Sequence, residues 1–121
     1  MTGFIVFAHG SRIESANQAV RDVAARMAAS EPNGAPVEPA FLELGEPDLT
    51  GAARRLAARG VFRIVVVPYF LTLGTHMQRD LPRLARQAEQ AIGNIKIDVT
   101  APLDGHPALV EALLDRARER A

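Results

Sequence analysis

VFRIVVVPYFLTLGTHMQRDLP, residues 61–82, is the stretch from which the fold can be read. Val61, Phe62, Ile64, Val65, Val66 and Val67 make it apolar at nearly every opening position. A half-buried strand alternates, whereas an unbroken β-branched run fits a central parallel strand covered on both faces. Pro68 has no N–H to give to a ladder, so the paired part of the strand ends near it. The apolar residues Tyr69, Phe70, Leu71 and Leu73 follow, and Gly74-Thr75-His76 comes next. An open α/β sheet binds its ligand beyond the carboxyl ends of its strands, which is where this shelf and its histidine fall.

Working outward, residues 4–8 (FIVFA) read as a first strand that runs into His9-Gly10-Ser11-Arg12. Ser11 with Glu14 has capping-box spacing. The helix behind it sets Ala16, Ala19, Val20, Val23 and Met27 on one face and stops near Ser30, before the turn residues Glu31-Pro32-Asn33-Gly34. Residues 37–42 (VEPAFL) form a second strand, which Pro39 demotes to a sheet edge. It delivers Glu43-Leu44-Gly45-Glu46-Pro47. Asp48 caps a helix over 49–59 with Gly60 as its stop.

Beyond His76, Met77 to Asp80 begin a helix expected to reset at Pro82, with Asp80 as the new cap. It runs to about Ile92. Residues 95–99 (IKIDV) alternate and give a fourth strand. The segment TAPLDGHP then leads to a last helix opening at Pro107, with Leu109, Val110, Leu113 and Leu114 turned inward. Strands alternating with helices imply an α/β fold: a four-stranded parallel sheet with helices on both faces, in a single domain over residues 1–121.

Composition narrows the function. The 121 residues carry no net charge, so the basic excess of a nucleic-acid binder is absent. No stretch is long enough to span a bilayer, and the short apolar run at the start reads as a strand, not a signal peptide. A soluble cytoplasmic protein is the expectation. The lack of cysteine removes disulfides, thiolate metal sites and thiol nucleophiles together. There is no G-x-S-x-G elbow, no G-x-G-x-x-G after a strand and no Walker loop, so a serine hydrolase lacks its nucleophile and a nucleotide its phosphate cradle.

Parallel strands place their carboxyl ends on one rim. His9 follows the first strand, Glu43 the second, and His76 lies past the third. Two imidazoles and a carboxylate suit a divalent first-row metal such as cobalt, iron, nickel or zinc. Three protein ligands leave coordination positions open, as in a site that reacts or exchanges its metal. Taken singly the residues are ordinary: a lone carboxylate more often caps a loop, and His106 beside Pro107 reads as a helix-entry residue. Arg54, Arg55 and Arg59 read as a solvated helix face.

FIVFAHGSR, FLELGEP, VVVPYFLTLGTHMQRDLP and APLDGHPALVEALLDR together resemble, in order and spacing, the CbiX family of short-form sirohydrochlorin chelatases. The resemblance implies a chelatase-like domain that inserts cobalt(II), next iron(II), with nickel(II) also admitted, into sirohydrochlorin without a nucleotide, for cobalamin or sirohaem. The family's metal and catalytic positions fall on His9, Glu43 and His76. Phe70, Leu71, Leu73 and Met77 are then the wall against the tetrapyrrole, and Arg12 and Arg79 the candidates for its carboxylates. Longer relatives look like two fused copies, so a homodimer is implied, with a sheet edge or apolar rim covered as it forms. The rivals are a non-catalytic metal carrier or tetrapyrrole-binding module, and a structural partner subunit.

Overall fold

A computed structural model describes residues 1–121. The chain alternates β1 (Thr2–Ala8), α1 (Glu14–Ser30), β2 (Val37–Phe41), α2 (Leu49–Ala58), β3 (Arg63–Pro68), α3 (Thr75–Ile92), β4 (Lys96–Val99) and α4 (Pro107–Arg118). The strands form one parallel sheet in the order β2-β1-β3-β4. The valine-rich run is therefore a central strand, and the strand containing Pro39 lies at an edge, as expected. No helix is long and apolar enough to cross a membrane.

The two faces of the sheet are unequal. Ile5, Phe7, Ala40, Ile64, Val66 and Ile97 point to the face covered by α2 and α3, where Leu56, Leu81, Ala85 and Ala88 complete the main core. Val6, Ala8 and Phe41 point to the other face, under Val20 and Ala24 of α1. α1 covers only β1 and β2, so Val65 and Val67 remain half-buried. The clean alternation of β4 has the same cause: Ile97 is buried, while Asp98 meets Arg63 on the open side at 3.5 Å.

Three expectations are corrected. α4 does not fold back onto the sheet: it has no buried residue, and Val110, Leu113 and Leu114 are 58, 62 and 40% exposed. Its apolar stripe is real, but nothing in the chain packs on it. α3 is one helix and does not reset at Pro82. Pro82 lies on the exposed side, so the Gln78 carbonyl it leaves unpaired faces water, while Leu81, Ala85 and Ala88 hold the helix to the core. The buried face of α1 is set by Asn17, Val20 and Ala24, and Ala16 and Ala19 face solvent.

Part of each sheet edge is already occupied. At β2, Pro39 has no donor and the Phe41 N–H donates to the Pro47 carbonyl at 2.9 Å. At β4, the Ile97 N–H donates to Glu89 Oε2 at 2.7 Å and its carbonyl accepts from the Arg86 guanidinium. Side chains of α3 thus occupy both outward backbone groups of Ile97, in the middle of the β4 edge.

Replacing Pro82 by alanine restores the missing helix bond at an exposed position and should stabilise the chain by up to about 3 kcal/mol. Leu56→Ala empties a fully buried site and should cost roughly 2–5 kcal/mol. Urea titration of both variants checks the pair.

Candidate metal centre

β1 and β2 run side by side, and their pairing continues past the strand ends. Leu42 N–H donates to the Ala8 carbonyl at 2.9 Å, and Glu43 N–H donates to the His9 carbonyl at 3.1 Å. That last rung sets the two side chains next to each other: His9 Nε2 lies 3.1 Å from Glu43 Oε1. Both are more than half exposed, at 57 and 58%. The approach needs Gly10, whose φ of +95° favours glycine and whose imagined Cβ would sit 1.7 Å from the Glu43 carbonyl oxygen. Leu44, at φ +57°, turns the second loop away, and the Glu46–Pro47 bond is cis.

The structure brings two of the three expected ligands together. His76, near the start of α3 and after β3, lies on the same rim but outside this pair, and no group of three or more His, Cys, Asp or Glu side chains is assembled for a metal. Its Nδ1 meets the Arg79 guanidinium at 3.1 Å. Since arginine only donates, that contact fixes Nδ1 as an acceptor and leaves Nε2 to carry the ring's proton in the neutral form. His106 takes the helix-entry role: its Nδ1 accepts from the Ala108 N–H at 3.0 Å and caps α4.

The residues read as a tetrapyrrole wall divide. Phe70 and Met77 are packed against the main core, with the Phe70 ring 6.3 Å from that of Phe7. Leu71 is 64% exposed, and Tyr69, Phe70, Leu71 and Leu103 line an open apolar hollow. Leu103 and Asp104 N–H groups donate to the Phe70 and Leu71 carbonyls, so the β4–α4 loop supports this shelf. Leu73 is half-buried beside α3, and Arg12 is exposed on the His9 loop. Arg79 also lies 3.9 Å from Asp80.

Sequence reasoning missed one residue. Asn17 is the one buried polar side chain, 2% exposed, and its amide bridges the two loops that carry His9 and Glu43. A signal existed: a polar residue one turn from Val20 and two from Ala24 lies in the buried stripe of α1. Its partners could not be read, because they are backbone groups of Ser11 and Leu44. The same bonds displace the expected capping box: Ser11 Oγ accepts from Ile13 N–H at 3.0 Å, and α1 starts without a side-chain cap.

The fold and site define a small parallel α/β domain with an exposed histidine–carboxylate pair on its carboxyl rim, and comparison with known proteins gives the family. The CbiX family model matches residues 3–120, and the chain belongs to the CbiX family. It is 36% identical over 115 residues to the chloroplastic sirohydrochlorin ferrochelatase of Arabidopsis thaliana, covering 94% of this chain and 50% of that protein. To the sirohydrochlorin cobaltochelatase of Sulfolobus acidocaldarius it is 31% identical over 119 residues, with 98 and 92% covered. The crystal structure of a CbiX protein from Marinobacter aquaeolei superposes with a TM-score of 0.85 at 29% identity, covering 98 and 96%. The sirohydrochlorin chelatase SirB of Bacillus subtilis subspecies spizizenii, solved in complex with cobalt, gives 0.87 at 27% identity, covering 99% of this chain and 51% of SirB. The chain therefore spans about half the length of the Arabidopsis and Bacillus relatives and nearly all of the Sulfolobus and Marinobacter ones.

Gly10→Ala should force the two loops apart, since the added methyl meets backbone and not a movable side chain. The expected result is loss of the protection of the Glu43 amide against hydrogen exchange.

Proposed function

We propose that this chain is a sirohydrochlorin metal chelatase, inserting cobalt(II), with iron(II) next and nickel(II) also admitted, without a nucleotide. The observation that carries this reading is the exposed His9–Glu43 pair, 3.1 Å apart on the carboxyl rim. Its relatives' names and the cobalt-bound SirB structure support the substrate and the metal.

Metal and tetrapyrrole are both substrates, so the site must give up its metal. Insertion requires the metal to lose water ligands and the macrocycle to lose two inner pyrrole protons. His9 offers a neutral nitrogen to the incoming cation. Glu43 completes the coordination or takes a pyrrole proton as general base. His76 offers Nε2 as the third ligand once that nitrogen is free of its proton, a tautomer that Arg79 must release. The flat macrocycle lies along Phe70, Leu71, Leu73 and Met77, and Arg12 and Arg79 meet its carboxylates.

The working form is a cytoplasmic homodimer of the domain formed by residues 1–121. One lobe leaves the rim open, and the resemblance to longer relatives that look like two fused copies supports a second copy beside it. We assign the second copy to the unpartnered stripe of α4, where Val110, Leu113 and Leu114 are exposed and Leu109 lies beside them. Light scattering should give twice the chain mass of 13.0 kDa, and Leu113→Glu should halve it. A parent chain that is monomeric at micromolar concentration rules the homodimer out.

Visible absorbance of sirohydrochlorin mixed with protein and cobalt, iron, nickel or no metal tests the activity. Catalysed spectral change with turnover is expected, and His9→Ala with His76→Ala should abolish it while the fold persists. Tight stoichiometric metal binding without turnover would instead identify a carrier. Binding of neither substrate would leave a structural partner subunit.

A further inference from the structure

We propose that Asn17 is a positioning residue that sets the separation of His9 and Glu43; the chemical meaning of that separation rests on the chelatase reading. Asn17 Oδ1 accepts from Ser11 N–H at 2.9 Å, and its Nδ2 donates to the Ser11 carbonyl at 2.9 Å and the Leu44 carbonyl at 2.8 Å. Ser11 is two residues beyond His9, and Leu44 is one beyond Glu43. The amide therefore stands where the β1–β2 ladder has run out. The last rung between the loops is Glu43 N–H to the His9 carbonyl, and beyond it Leu44 turns away with positive φ.

One side-chain amide replaces the next rung by offering a donor and an acceptor as a peptide unit does. Its surroundings leave no substitute. Gly45 is pressed against it, with an imagined Cβ 3.1 Å from Asn17 Nδ2 and 2.9 Å from the Phe41 ring. Asn17 itself is 2% exposed, so its amide works from inside the protein and not from the solvated rim. An exposed pair such as His9 and Glu43 has no packing of its own to fix its geometry. The buried amide behind them supplies it, as outer partners do for metal ligands.

Three variants test this against a merely structural role. Asn17→Ala removes all three bonds, and Asn17→Asp keeps the shape and the acceptor but cannot donate to the two carbonyls. Val20→Ala, one turn along the same buried face, is the control for general loss of stability. Well below each unfolding midpoint, both Asn17 variants should bind Co²⁺ about 10–100-fold more weakly by calorimetry, as lost outer-shell partners generally cause, while the control keeps the parent affinity. Amide exchange followed by NMR should show the Glu43 N–H exchanging about tenfold faster or more in the Asn17 variants but not in the control. Parent-like affinity and Glu43 protection in either Asn17 variant overturn the proposal, as does an equal effect of Val20→Ala.

If the Asn17 variants do not fold, the parent protein decides the matter. The Asn17 side-chain amide and the Glu43 N–H should then open together with equal protection, and a Glu43 N–H that exchanges freely while Asn17 stays protected overturns the brace. A parent that binds no Co²⁺ counts against the chelatase reading alone, and exchange at Glu43 still decides the role of Asn17.

Discussion

Everything at the rim depends on the parallel register of β1 against its two neighbours. Because Phe4 pairs with Val37 and Ala8 with Phe41, the chain leaves both strands at the same height. His9 and Glu43 then emerge next to each other although 34 residues separate them. A parallel pair twists but keeps its ends level, so strand length becomes a ruler for side-chain placement. Moving either strand by one residue would turn its side chain to the opposite face. The buried residues Ile5, Phe7 and Val6, packed on opposite faces, fix that register more firmly than anything at the rim itself.

The order of elements was legible because β-branched runs and turn residues act locally. The central strand shows this best: Ile64 and Val66 are fully buried, and Pro68 ends the pairing where a missing donor requires it. What escaped was decided by contacts distant in sequence. An apolar stripe such as Leu109, Val110, Leu113 and Leu114 shows that a helix has a sticky side but not which surface meets it. A proline in a helix reads as a break, yet Leu81 and Ala85 on either side of Pro82 bury enough surface to carry the helix through. Ala16 and Ala19 shifted the reading of α1 because alanine is small enough to sit in water at little cost.

The site divides in the same way. His9 and Glu43 were legible because topology alone brings them together. His76 differs because several apolar residues separate it from the end of β3, and that longer path loses the ruler. Its Nδ1 is held by Arg79 from the next turn of its own helix, a local contact that sequence spacing of three residues permits. Asn17 stood in plain view as a polar residue in a buried stripe, but its meaning lay in the backbone of two loops.

The exposure of the His9–Glu43 pair fits the proposed chemistry better than burial would. A buried carboxylate and imidazole would hold a divalent ion in a low-dielectric setting where its release is slow, which serves a structural metal and defeats an exchangeable one. An exposed pair binds weakly and unloads easily, but it must take its geometry from elsewhere. Here the rigidity sits one layer down, in close backbone approach at Gly10 and the buried amide of Asn17. Separating a firm support from a solvated ligand pair lets a metal be presented without being trapped. On the proposed reading, His9 and Glu43 would hold the cation from the protein side and leave its solvent side to a flat macrocycle.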